Sequence, residues 1–173
     1  MSQRRRGRPK GPPAGQYNHD MDITRAHSLA RGLMDAHGLR EWELAIDRAK
    51  RRAGYTSHAQ RVISLSGPLL EQYDAEQVRL LVLHEVAHAL VGEGHGHDAV
   101  WRTTCLTIGG DGRVKVDPSW PAAPPLWVGV CPNGHHFERQ RRGRTGSCPR
   151  CSRSYDARYL ITWTNQRTGA VFR

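Results

Sequence analysis

The sequence predicts an α+β protein in two parts, helices laid against a short β-sheet and then a smaller β-rich module. Three observations carry this expectation. An apolar stretch from Val78 to Val91, with Asp74 available as an N-cap and Gly92 as a stop, reads as a buried helix and carries His84-Glu85-Val86-Ala87-His88. Two short segments upstream, residues 42–47 and 62–65, have the composition and alternation of strands. Downstream of a proline-rich stretch, Cys131-Pro-Asn-Gly-His135-His136 and Cys148-Pro-Arg-Cys151 present two pairs of metal-ligand side chains, about a dozen residues apart. With 173 residues there is room for one compact domain and one small module. The expected divisions are a tail over 1–16, a first domain over 17–116, a linker over 117–125 and a module over 126–173.

Taken in order, residues 1–16 have three prolines and no apolar periodicity, so they are expected to be disordered in isolation. Within them Arg6-Gly7-Arg8-Pro9, followed by Lys10, resembles an AT-hook, a thin extended core suited to the narrow minor groove of A·T-rich DNA. A first helix is expected from Asp20 to Gly38, where Ile23, Ala26, Leu29, Ala30, Leu33 and Met34 recur at three- and four-residue spacings. Trp42, Leu44 and Ile46 then alternate as a strand. Residues 48–61 read as a basic, irregular piece, and Val62 to Leu65 as a second strand that Pro68 breaks. Beyond the apolar helix a further helix is expected over Asp98 to Thr107, fading at Gly109-Gly110-Asp111-Gly112, with Cys105 inside it as a small buried hydrophobe. Residues 117–125 hold four prolines around Trp120 and are expected to act as a linker or strap.

The chemistry lies in the apolar helix. Positions i and i+4 share a helix face, so His84 and His88 project side by side within reach of one zinc at about 2.0–2.1 Å. Glu85 is rotated about 100° away, beside the metal rather than on it, where a general base belongs. Two imidazoles and a carboxylate in so apolar a helix are costly to bury without a metal or a hydrogen-bond network. A third ligand comes from the turn that follows. His97, at the mouth of the next helix, is favoured, and His95 is the alternative.

The string HEVAHAL, a Gly/His turn and His97-x-x-x-Trp101 resemble the SprT-like family of zinc metalloproteases, which includes the Spartan group that degrades proteins crosslinked to DNA. Arg52-Ala53-Gly54 and Ile63-Ser64-Leu65-Ser66 are similar to that family's pattern ahead of its active helix, and the resemblance spans about residues 20–160. It implies a catalytic zinc on His84, His88 and His97, with Glu85 as catalytic base. In such enzymes an edge strand holds the substrate backbone extended, and the candidates here are residues 42–47 and 62–65.

The second pair of motifs reads as a zinc ribbon with Cys131, Cys148 and Cys151 as ligands; bacterial SprT-like proteins often end in one. Gly134 stands where a fourth cysteine would be expected, so His135 is favoured as the fourth ligand and His136 is the alternative. A redox role for Cys148-Pro-Arg-Cys151 is disfavoured by the upstream pair and by the lack of a βαβ pattern.

The net charge of +10 is concentrated at the ends: +5 over residues 1–15, from Arg4, Arg5, Arg6, Arg8 and Lys10, and +7 over 131–173, leaving −2 between. In the module Arg139, Arg141, Arg142 and Arg144 are interleaved with aromatics, a pattern suited to phosphate contact and base stacking, so DNA is an expected partner alongside protein substrates. No run approaches the ~18–20 apolar residues of a membrane span, and the start lacks the apolar core of a secretory signal, so a cytoplasmic, DNA-associated protein is expected.

Overall fold

The computed structural model describes residues 21–173, so the tail residues Arg4, Arg5, Arg6, Arg8 and Lys10, and with them the AT-hook-like motif, lie outside the described residues. Helix α1 (Ile23–Ala36) is set by Asp22, whose side chain accepts from the Arg25 N–H at 2.8 Å. Ala26, Ala30 and Met34, four residues apart, bury its inner face completely. Arg31 then fixes the exit from the helix. Its guanidinium donates to the carbonyls of Leu39 and Trp42, each at 2.7 Å, at the entry to β1 (Glu43–Asp47).

Two further strands follow, β2 (Gly54–Ser57) and β3 (Val62–Ser66), in the order β1-β3-β2. β1 runs parallel to β3, and β2 antiparallel to it. Two sequence expectations are corrected here. Residues 48–61 are not wholly irregular, because β2 lies among them. The strand at 62–66 is central rather than an edge, and among the described residues β2 is the edge beside the long helix. The strand ends ahead of Pro68 as expected, and Pro68 itself sits in the first turn of a short helix, α2 (Gly67–Leu70), capped by Ser66, where a missing N–H costs nothing.

Helix α3 (Ala75–Val91) begins in a capping box, with the Asp74 side chain accepting from the Gln77 N–H and the Gln77 side chain from the Asp74 N–H, and stops at Gly92, whose φ of +84° suits glycine. It packs against α1, β2, β3 and α4 (Ala99–Thr107). Being covered on several sides, it buries Val78, Leu81, Val82, Leu83, Val86 and Ala89, which is why its sequence is apolar around most of its circumference. Cys105 of α4 is fully buried beside Ala87 and Trp101, as expected of a small hydrophobe.

From 109 to 125 the chain forms a strap without helix or strand. Trp120 packs edge-on against Tyr73 at 5.2 Å, and Ala123 is buried in the same core as Met34 and Val82. A second antiparallel sheet follows, ordered β5-β4-β6-β7, from β4 (Trp127–Val130), β5 (His136–Arg139), β6 (Thr162–Asn165) and β7 (Val171–Phe172). Its own core holds Trp127, Cys131, Cys148, Ile161 and Trp163. Gly129 admits the last two, since a Cβ there would come within 2.7 Å of both. Among the described residues no helix is long and apolar enough to cross a membrane.

Candidate metal centre and catalytic site

His84 and His88 lie one turn apart on α3, and His97 reaches them from the loop that Asp98 ends by capping α4. The Nε2 atom of His97 is 3.0 Å from that of His84 and 3.1 Å from that of His88. The Nδ1–H of His84 is given to the Arg113 carbonyl at 3.1 Å, which leaves its Nε2 as a lone pair aimed at the cluster. Three imidazole nitrogens crowded on one point, with His84 fixed as an acceptor, fit a cation better than a hydrogen-bond network. A tetrahedral zinc sets its nitrogens about 3.3 Å apart, close to what is seen. Burial, then mutual repulsion among the imidazoles, pushes His84 and His88 down to about 4, so both are neutral and ready to ligate at neutral pH. Trp101, fully buried, floors the cluster with ring centroids 4.6–5.2 Å from all three imidazoles. His95 is not among the converging ligands; its Nδ1 pairs with Asp98 at 2.8 Å.

Glu85 sits behind this cluster, 5% exposed, and strand β2 holds it. The Thr56 hydroxyl lies 2.9 Å from its Oε2 and 3.0 Å from its backbone carbonyl. Gly54 supplies the space: a Cβ at that position would approach Glu85 Oε1 to 2.8 Å. Burial pushes the carboxyl up to about 7, against the pull of Thr56 and Arg52. His58, at the turn after β2, donates from Nε2 to the His88 carbonyl at 2.9 Å and ties the end of the strand to the ligand helix. A buried carboxylate of raised pKa beside a three-imidazole metal site is equipped to take a proton from water and return it to a leaving group.

The profile of the SprT-like family matches residues 26–119, more than half of the chain. The chain belongs to the SprT-like family. The family is one of metalloproteases, and His84, His88 and His97 form the candidate ligand set with Glu85 beside it. No curated protein matches the chain in sequence. Two solved structures resemble it: the metallopeptidase zymogen of Methanocaldococcus jannaschii jannalysin, at 15% identity and TM-score 0.43 over 50% of this chain and 83% of that one, and the metallopeptidase zymogen of Pyrococcus abyssi abylysin, at 19% identity and TM-score 0.43 over 51% and 84%.

The SprT-like protein has a second candidate ligand cluster in its C-terminal sheet region. His135 Nδ1 lies 3.5 Å from the Cys131 and Cys148 sulfurs and 3.3 Å from that of Cys151. The Cys131 and Cys151 sulfurs are 3.8 Å apart, far beyond a disulfide bond of about 2.05 Å. Burial pushes the Cys131 thiol up, but N–H donors of His135 and Asn133 outweigh it and bring the thiol down to about 6, where a thiolate ligand forms at neutral pH. Gly134, at φ +77°, turns the chain so that His135 rather than His136 faces the thiols; His136 is the exposed first residue of β5 and stands outside the cluster.

The arginines of this region divide by role. Arg139 is half-buried, with its guanidinium 3.4 Å above the Trp163 ring, and Arg142 lies 4.7 Å above Phe172. Arg141 and Arg144 are exposed. Arg141 shares a cleft with Arg48, Lys50, Arg51 and Arg52, four cations that sequence spacing did not single out. Gly54, Thr56 and the Arg113 carbonyl were equally hidden in the sequence. Gly54 lies in the family-like phrase Arg52-Ala53-Gly54, but nothing in its spacing marks a cradle for a carboxylate.

Proposed function

We propose that this SprT-like protein is a zinc-dependent endopeptidase that acts on proteins bound or crosslinked to DNA. Its catalytic ion would be held by His84, His88 and His97, three neutral imidazoles that leave a fourth position open, the donor set zinc favours in hydrolytic sites. Zinc so held supplies a Lewis acid that polarises the scissile carbonyl and lowers the pKa of water toward ~7. Glu85 takes the water's proton as oxygen attacks the carbonyl carbon, then passes it to the amine nitrogen as the C–N bond breaks. β2, with its outer edge unpaired among the described residues, offers an extended substrate a strand to pair with directly alongside Glu85. A second zinc on Cys131, His135, Cys148 and Cys151 would hold the ribbon.

The observation that carries the DNA half of the reading is the cleft between Arg48, Lys50, Arg51, Arg52 and Arg141, which adds cations of the catalytic half to the +7 of residues 131–173. Among the described residues, Arg52 is the one of these five with an ion pair, to Asp47. The aromatics near the ribbon arginines add stacking surfaces for unpaired bases. The test measures metal content and cleavage of a basic DNA-binding protein, with and without single-stranded DNA, for wild type and Glu85→Gln. Two zincs per chain in both proteins, with DNA-stimulated cleavage in the wild type alone, are expected. Equal cleavage without DNA removes the DNA half, and no cleavage under any condition removes the peptidase. Arg51→Glu with Arg141→Glu should flatten the slope of log K against log salt for single-stranded DNA by about 1.4, at roughly 0.7 per phosphate contact.

A further inference from the structure

His84 can offer a lone pair to the cluster because its other ring nitrogen is held by a backbone carbonyl, that of Arg113 in the strap. A strap free to move would carry that carbonyl, and the imidazole's orientation, with it. The strap is pinned on both sides of the turn. Arg79 of α3 donates to the Gly109 carbonyl at 3.0 Å, and Arg102 of α4 donates to the Gly112 carbonyl at 2.8 Å. Gly112 is buried at a φ of +66°, which glycine adopts without strain, and a Cβ there would stand 3.2 Å from Leu106.

Beyond Gly112, one carboxylate holds the residue whose carbonyl matters. Asp111 Oδ1 accepts from the Arg113 N–H at 3.0 Å, closing an aspartate turn over residues 111–113, and its Oδ2 lies 3.8 Å from Arg113 Nε. On the far side the Arg113 guanidinium pairs with Asp117, which in turn accepts from the Ser119 N–H at 2.9 Å. Arg113 is thus gripped at its N–H and at its side chain, which leaves its carbonyl few directions to point. The ion pairs explain little by themselves, because the Arg113 side chain is 58% exposed and exposed pairs contribute little to stability. The turn has the geometric consequence.

We propose that Asp111 is a positioning residue for the catalytic metal: by closing the turn on Arg113 it holds that residue's carbonyl on His84 Nδ1, and so fixes the imidazole that receives the ion. The proposal rests on the zinc reading above and adds a residue outside the ligand set that governs how tightly the ion is held. Asp111 touches none of the three imidazoles and acts on His84 through the strap backbone.

The test measures zinc affinity of the full chain, by competition with a chelator, in wild type and three variants. The zinc that is missing from His135→Ala identifies the ribbon site, which serves as the internal control. Asp111→Ala removes both turn and charge, so the dissociation constant of the catalytic site should rise by about ten- to a hundredfold, the usual effect of losing a group that orients a ligand, with the ribbon site unchanged. Asp111→Asn keeps an oxygen that can accept from the Arg113 N–H and loses only the charge, so it should stay within about threefold of wild type. Asp111→Glu keeps the charge but is one methylene too long for the turn, so it should resemble Asp111→Ala. If Asp111→Ala does not fold, the contrast between Asn and Glu decides. An unchanged affinity in Asp111→Ala, a loss as large in Asn as in Glu, or a loss at both zinc sites together overturns the proposal. A wild type that binds a single zinc, absent from His135→Ala, removes the catalytic-metal reading itself and the proposal with it.

Discussion

Gly54→Ala is the sharpest probe of how the catalytic carboxylate is held. Ordinary contact begins at 3.4 Å, and the new methyl would stand 2.8 Å from Glu85 Oε1, 3.0 Å from its Cγ and 3.1 Å from its Cδ, an overlap of about 0.6 Å. Glu85 cannot swing away freely, being 5% exposed and anchored by Thr56 at 2.9 Å. Gly54 does not have the left-handed φ seen at Gly92, so the substitution acts through sterics on the carboxylate and not through backbone strain. Displacing a reacting group by about 1 Å costs on the order of a hundredfold, so a shift of about half that should lower kcat by about tenfold, or about 1.4 kcal/mol of transition-state stabilisation. Overpacking should cost about 1–3 kcal/mol of stability, offset by about 0.4–1 kcal/mol from the stiffer unfolded chain, and the protein stays folded at 25 °C. None of the ligand histidines is among the atoms nearest to the new methyl, so zinc content is unchanged. The assay is kcat and KM on one peptide, with metal analysis and a melting curve on the same sample. Wild-type kcat in a folded, zinc-loaded variant would refute the clamp.

Three more expectations stand beside it. Thr56→Val keeps the β-branched shape but removes the hydroxyl that holds the Glu85 carboxyl down, so the acid limb of the kcat/KM profile should move to higher pH; an unmoved limb would show that Thr56 does not tune the base. In metal-free protein His84 and His88 have folded pKa values near 4 against 6.5 in the unfolded chain. Between those values the unfolded state binds about two more protons on these histidines, while Glu85, raised to about 7, holds one more in the folded state, so the net of about one proton should still make the melting temperature fall as pH drops from 6.5 toward 4.5; a melting temperature that rises across that window would contradict the burial of the histidines as neutral groups. His135→Ala should lower the zinc stoichiometry from two to one while His136→Ala leaves it at two, by metal analysis of the purified chains; the reverse result would overturn the assignment of His135.

The long helix was legible from sequence almost to the residue, because Asp74, Gln77 and Gly92 are local signals that need no tertiary partner. The ligand pair His84 and His88 was legible for the same reason, helical spacing being intrinsic. His97 was favoured over His95 for its place at the mouth of the next helix, and the structure adds a cause the sequence did not show: Asp98 caps α4 through Trp101 N–H and pairs with His95 through its other oxygen. Strand β2 escaped notice because Gly-Tyr-Thr-Ser has little apolar alternation and follows a run of cations. It is a strand because β3 pairs with it on one side and α3 packs against it, which are nonlocal causes. Pro68 marked the end of β3 correctly, but α2 was not legible behind it, because a proline that ends one element also suits the first turn of the next.

The distances along the chain between the site's parts separate two events in its maturation. The three imidazoles come from residues 9 and 13 apart, within one helix and the turn after it. The threonine that anchors the base lies 29 residues from it, across the sheet. Contacts of short sequence separation form early and cheaply, while those that close longer loops form later. On the proposed reading, a partly unfolded chain would bring its three candidate ligands together before its base is in place. Metal content would then report how far the helix has formed, and only turnover would report that the sheet has closed over it.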